Sequence, residues 1–149
     1  MITLHHAIKI TAARSQVYAA LTDITQLASW HLGVVEGTIA PGEILTLRPN
    51  PHAHISWRTE KMVPDEELVQ VSVDEPDSPA GKTLRFTLAD FGPDQTIVAL
   101  SHSGWSDRDP HLPFCNTRWG EVLQHLKSWA ESRSAVDHGA KTPDDLTQG

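Results

Sequence analysis

The sequence contains a single cysteine, Cys115, so the chain cannot form an internal disulfide bond. It also lacks an excess of positive charge, because 12 lysine and arginine residues stand against 19 aspartate and glutamate residues. Nucleic acids and anionic membrane surfaces attract clustered positive charge, and this balance therefore argues against both as partners. The scarcity of cysteine is typical of a reducing compartment, and we expect a cytoplasmic protein.

Long apolar runs are missing as well. No stretch comes close to the roughly 18 apolar residues that a membrane helix needs, so we expect no membrane insertion. Residues 1–10 lack the basic region and apolar run of a secretory signal, so we expect none. Fingerprints of a dinucleotide site, a phosphate-binding loop and a nucleophile elbow are also absent, and the sequence predicts no cofactor.

The length of 149 residues suits one domain with a core of its own. Residues 113–133 form the only long segment with helical periodicity. Its apolar residues recur at spacings of three and four, which places them on one face: Cys115, Trp119, Val122, Leu123, Leu126 and Ala130. We expect a C-terminal helix here, which completes a domain of residues 1–133. Residues 134–149 are mostly polar and are predicted to form a flexible tail.

Alternating apolar and polar residues predict seven strands before this helix. They are expected over residues 2–10, 34–39, 44–48, 55–63, 68–73, 82–91 and 96–105. Two short helices are predicted after the first strand, one over residues 15–21 with Ser15 as N-cap and one capped by Asp23. Most of the later connections are short turns, and residues 75–81 form a loop by composition. This order predicts an α+β fold with an antiparallel meander.

Three groups of residues carry a resemblance to a known family. They are Ile8–Ala12, Val17–Asp23, Leu27 and Trp30; then Gly81–Leu88, Thr96 and Ser101–Trp105; and finally Cys115, Trp119, Leu123, Leu126 and Lys127. With the order of elements, they resemble the START-like (SRPBCC) superfamily, and within it the branch named for the activator of the heat-shock-90 chaperone ATPase. The resemblance covers roughly residues 1–132. Residues 33–63 match poorly, and His31 stands where this branch often has an aromatic residue.

The resemblance implies a helix-grip fold, in which a curved seven-stranded antiparallel sheet closes around the C-terminal helix. Side chains that face the space between sheet and helix would line a ligand pocket. We expect this lining to include Trp30, His31, Trp57, Phe86, Leu88, Val98, Leu100, His102, Trp119, Leu123 and Leu126. Trp105 and Trp129 are expected at the periphery.

His102 is the one candidate catalytic residue. Strand alternation places it on the concave face, where burial would lower its pKa, and it could act there as a polar anchor or a general base. It could equally be a structural histidine with a hydrogen-bonding partner, which the sequence favours because buried polar groups normally find one. Cys115 could be a nucleophile, but no partner base is recognisable, and packing is the favoured interpretation.

The many histidines raise the question of a metal site. His6 shares a strand face with Ile8 and would lie near His102 if the first and last strands pair. His52 and His54 have the spacing of a strand metal pair, but they follow a turn. No carboxylate or third histidine stands at a suitable spacing, so the sequence predicts no metal.

Three functions fit these observations. The first is binding of a small, mostly apolar ligand that is lipid-, polyketide- or aromatic-like. The second is a small-molecule enzyme of the cyclase or hydrolase type that uses His102. The third is a chaperone co-factor or protein-interaction module, and a homodimer is compatible with any of them. Binding is favoured because no complete catalytic constellation can be recognised.

Overall fold

The structure is a computed structural model, and it describes residues 1–73 and 81–139. Over these described residues there are three helices: α1 (Arg14–Thr22), α2 (Ile24–Trp30) and α3 (Leu112–Gly139). The strands are β1 (Ile2–Ile10), β2 (Val34–Gly37), β3 (Ile44–Asn50), β4 (Ala53–Val63), β5 (Glu67–Ser72), β6 (Thr83–Asp90) and β7 (Thr96–Trp105). The part of the chain that the structure describes has no helix long and apolar enough to cross a bilayer.

The seven strands found in the described ranges belong to one antiparallel sheet, in the order β1-β7-β6-β5-β4-β3-β2. Strands β2 to β7 follow one another as a meander, and β1 returns to pair with β7. The sheet is curved, and α3 packs across it against β1 and α1. The predicted α+β helix-grip fold is confirmed.

The core lies between the concave face of the sheet and the apolar stripe of α3. Val122, Leu123, Leu126 and Ala130 are buried, as their spacing predicts. Burying one such large aliphatic side chain contributes roughly 1.5–3 kcal/mol, so the stripe is a main reason why α3 stays on the sheet.

The helix α3 continues beyond the predicted end at Arg133. Ser134 is buried one turn after Ala130, so a small polar residue extends the inward stripe beyond the last apolar residue of the pattern. The predicted tail therefore does not begin at residue 134, because residues 134–139 are part of α3. The rest of the predicted tail, residues 140–149, lies outside the described residues. The predicted loop over residues 75–81 also falls almost entirely outside them.

Two predicted boundaries near β2 and α1 differ from the structure. Strand β2 ends at Gly37, short of the predicted residue 39, because Gly37 has a φ of 103° and leaves the extended conformation. Helix α1 begins at Arg14 after Ala13, so Ser15 lies inside the helix and the predicted N-cap is wrong. The Asp23 cap of α2 is confirmed, since its side chain accepts hydrogen bonds from the second and third backbone N–H groups.

Candidate ligand-binding site

Within the part of the chain that the structure describes, two voids lie between the sheet and α3. The large void has a volume of about 110 Å³, and the small void has a volume of about 30 Å³. The walls of the large void come from His31, from Leu47, Pro49, Ile55 and Trp57 on the sheet, from His102, and from Cys115, Arg118, Trp119 and Val122 on α3. The two voids share five lining residues, which are His31, Leu47, Trp57, Trp119 and Val122. They are therefore neighbours within one apolar region.

Six of the residues expected to line a pocket border these voids. His31, Trp57 and Trp119 line both, His102 lines the large void, and Trp30 and Phe86 line the small void. The other five pack in the core and line neither void: Leu88, Val98, Leu100, Leu123 and Leu126. The helix α1 covers β6, and α3 covers β1, so side chains fill the space at that end of the concave face.

His102 is held among three tryptophans. Its ring centroid lies 5.4 Å from that of Trp57, 5.0 Å from that of Trp105 and 5.9 Å from that of Trp119. The indole Nε1–H of Trp119 donates a hydrogen bond of 3.0 Å to Nδ1 of His102. Because indole can only donate, Nδ1 must carry the lone pair and Nε2 the hydrogen. Within the described residues this buried Nε2 has no hydrogen-bond partner.

This environment makes His102 a poor general base. Burial lowers its pKa from 6.5 to about 4, with a smaller contribution from the positive charge of Lys82. The imidazole is therefore neutral near pH 7, and its one lone pair is already engaged by Trp119. A general base works best when its pKa is near the working pH and its lone pair faces the substrate, and this arrangement supplies neither.

Cys115 lies beside His102, with 4.0 Å between Sγ and Nδ1. Burial raises the pKa of the thiol to about 11, against smaller lowering effects of Arg118 and Lys82. A reactive cysteine–histidine pair needs the opposite shifts, with a low thiol pKa and a protonated imidazole. The neutral thiol instead serves as a wall of the large void, consistent with the packing interpretation.

The position of Trp105 differs from the prediction. It was expected at the periphery, yet it is 4% exposed and its ring contacts that of His102. The pairing of β1 with β7 is irregular here, because Ile2 pairs with Trp105 and Leu4 with His102. This bulge contains Gly104, whose φ is 92°. The extra residue turns Trp105 to the same face as His102, and simple alternation therefore fails.

In the structure His6 and His31 lie close to partners other than His102. His6 lies on the same face as His102, but its Nε2 is 2.9 Å from Oδ1 of Asn116. Nδ1 of His31 is 3.1 Å from the carbonyl oxygen of Leu32, and burial lowers its pKa. Over residues 1–73 and 81–139, no three histidine, cysteine, aspartate or glutamate side chains are grouped as metal ligands.

Gln70 is a site residue that the sequence did not reveal. It is 3% exposed and lines the small void, and among the described residues its Nε2 has no hydrogen-bond partner. The buried face of β5 carries Leu68, Gln70 and Ser72, whereas Val69 and Val71 are only half-buried. Alternating valines usually mark the inward face of a strand, so hydropathy points here to the wrong side. In the structure Gln70 pairs with the buried Leu84 on β6, and this strand register, which the sequence of β5 does not show, directs its side chain inward.

The fold and the voids under its long helix define a helix-grip protein of the START-like superfamily. Residues 11–131 match the family described as Activator of Hsp90 ATPase homolog 1-like protein. The chain belongs to this family, and the resemblance carried by its sequence is confirmed. No curated protein matches the chain.

Several solved structures share the fold. The Aha1 dimer from Colwellia psychrerythraea is 26% identical and aligns over 88% of this chain and 97% of that chain, with a TM-score of 0.80. CalU16 from Micromonospora echinospora is 21% identical over 86% of this chain and 75% of that chain, with a TM-score of 0.71. An HSP90 activator from Plasmodium falciparum is 13% identical and aligns over 86% of this chain and 95% of that chain, with a TM-score of 0.72. The last two likenesses, at these identities, concern the fold alone.

Proposed function

We propose that this protein binds a compact, mostly apolar molecule, about the size of one aromatic ring, in the large void. The observation that carries this proposal is the void itself, with about 110 Å³ of space beside the rings of Trp57 and Trp119. Wall atoms that face empty space lose dispersion contacts, and a fitting ligand restores them. Such a site gains affinity from contact with flat apolar groups and needs little rearrangement.

The volume narrows the class of ligand. Pockets for drug-sized ligands usually measure roughly 300–1,000 Å³, and an engineered cavity of about 150 Å³ accepts benzene. A void of about 110 Å³ therefore suits a single ring, with small adjustments of its walls. Lipid- or polyketide-like ligands would need α3 or the β3–β4 hairpin to move away from the sheet, so we favour the aromatic-like class.

Toluene is a suitable neutral probe. It should raise the melting temperature of the wild-type chain, since a ligand that binds only the folded state stabilises it. Ile55→Phe places a ring inside the large void and should remove this stabilisation. Ile8→Phe is the matched control, because Ile8 is also a half-buried strand residue but lines neither void.

The proposal fails if saturating toluene leaves the wild-type melting temperature unchanged. It also fails if toluene stabilises Ile55→Phe as much as the Ile8→Phe control. Tryptophan fluorescence gives a second readout, because Trp57 and Trp119 would contact the probe. Cooperative unfolding without toluene shows that each variant is folded.

A chaperone-related function is the second candidate. The family match and the 26% identity to the Aha1 dimer favour it, since that similarity extends over 97% of that chain. The function would involve a direct contact with an Hsp90-type chaperone, and a homodimer is part of this candidate. An unchanged ATPase rate of such a chaperone on addition of the protein would exclude it, and sedimentation would test the dimer.

A further inference from the structure

The charge next to the large void is positive, although the chain carries a net charge of −7. Arg118 is an exposed residue of α3 that lines this void. Its guanidinium is always ionised and can only donate hydrogen bonds. Among the described residues, no hydrogen bond or ion pair of this guanidinium is found. A cation without an anionic partner thus stands at the wall of an apolar space.

The effect of this charge reaches the other wall residues. Burial lowers the pKa of His31, and the charge of Arg118 lowers it further. At Cys115 burial raises the pKa, and the charge of Arg118 opposes this rise. The charge of Lys82 also lowers the pKa of Cys115 and that of His102. The carboxylate of Asp109 has the opposite effect and raises the pKa of Cys115. Two cations against one anion leave a field that favours a negative group.

The buried polar groups at the voids also favour a ligand that carries negative charge or acceptor atoms. The unpartnered nitrogen of His102 carries the hydrogen, because Trp119 occupies the other ring nitrogen. The unpartnered nitrogen of Gln70, at the small void, is also a donor. Donors without acceptors favour a ligand that carries acceptor oxygens.

We propose that the large void takes an aromatic carboxylate of one ring, with the ring against Trp57 and Trp119 and the carboxylate on Arg118. This inference rests on the proposed function and adds the charge of the ligand to it. The planar guanidinium can hold a carboxylate with two parallel hydrogen bonds. Because Arg118 is exposed, the carboxylate keeps part of its hydration, and the cost of desolvating it is small.

Four probes of similar size test this inference: benzoate, benzyl alcohol, benzylamine and toluene. Isothermal calorimetry at pH 7 and low salt should rank benzoate first and the cation benzylamine last. Arg118→Gln should weaken benzoate binding by about tenfold or more and toluene binding far less, since toluene has no charge to pair with the guanidinium. Arg133→Gln is the matched control on the same helix, because Arg133 stacks over Trp129 and lines neither void.

The outcomes separate this inference from the proposed function. Benzoate that binds more tightly than the other three, with a preference that needs Arg118 and weakens in salt, supports the inference. Toluene that binds as well as benzoate, or a benzoate affinity that Arg118→Gln leaves unchanged, overturns the inference while the proposed function stands. If none of the four probes binds the wild-type protein, both are wrong.

Discussion

Acidification from pH 8 to pH 5 should destabilise the folded chain through the buried imidazole of His102. The folded-state pKa of His102 is lowered to about 4, whereas the ordinary value in an unfolded chain is 6.5. Between these two values the unfolded chain takes up a proton that the folded chain rejects. Stability is therefore complete above the unfolded pKa and is lost as the pH falls from 6.5 toward 4.

The size of the loss follows from the two pKa values. At pH 5 most unfolded molecules carry the proton and few folded ones do, which amounts to about 2 kcal/mol relative to pH 8. The full difference between the two pKa values would cost about 3 kcal/mol near pH 4. Domains are stable by only about 5–15 kcal/mol, so the loss at pH 5 is readily measured.

Urea denaturation followed by tryptophan fluorescence at pH 8 and pH 5 measures this loss. His102→Gln removes the titrating group, and its stability should fall by about 2 kcal/mol less than that of the wild type over the same interval. His6→Gln is the matched control, because His6 is half-buried and lines neither void. Glu131 has a lowered pKa, so its contribution to stability is lost only when the pH falls below the ordinary pKa of a glutamate. The measurement therefore ends at pH 5, above that range.

His31 contributes to the pH dependence of stability in the same direction as His102. Burial lowers its pKa as well, so some dependence on pH should persist in His102→Gln. The reasoning is refuted if the wild type and His102→Gln lose equal stability between pH 8 and pH 5. That result would mean that the folded chain protonates His102 as easily as the unfolded chain does.

Two further substitutions test local features of the fold. Trp119→Phe removes the donor to His102 and leaves its buried Nδ1 with only the 4.0 Å contact to the Cys115 thiol. This should cost about 1–3 kcal/mol in urea denaturation, and a loss below about 0.5 kcal/mol would contradict it. Gly37→Ala should lower the melting temperature more than the control Gly42→Ala. Both glycines have a positive φ, but of the two only Gly37 would bring the added Cβ against a backbone atom, the carbonyl oxygen of Ile44 at 2.3 Å. Equal melting temperatures for these two variants would exclude the clash.

Local signals explain why so much of the fold could be predicted from the sequence. The stripe from Val122 to Ala130 follows the period of a helix, and the runs of β1 and β7 follow the period of a strand. Asp23 is an N-cap because its carboxylate lies within reach of the next backbone N–H groups. Each of these features involves residues that are close in the chain.

The features that the sequence missed depend on residues far apart in the chain. Trp105 turns inward because β1 and β7 pair with a bulge at Gly104, and alternation along β7 alone predicts the opposite side. Gln70 faces the core because the register with β6 pairs it with Leu84, although its valine neighbours are more apolar. Ser134 is buried because α3 continues along the sheet, although the side chain is polar.

The sequence by itself determined the class of fold and most of the side chains that face inward, since periodicity and capping are local properties. Only the tertiary structure decided which of those side chains meet at a void. It brought Trp57, His102 and Trp119 together from β4, β7 and α3, and it placed Arg118 beside them. The pairing of Trp119 with His102 and the lowered pKa of that histidine depend on distance and burial, which arise only when distant segments pack together.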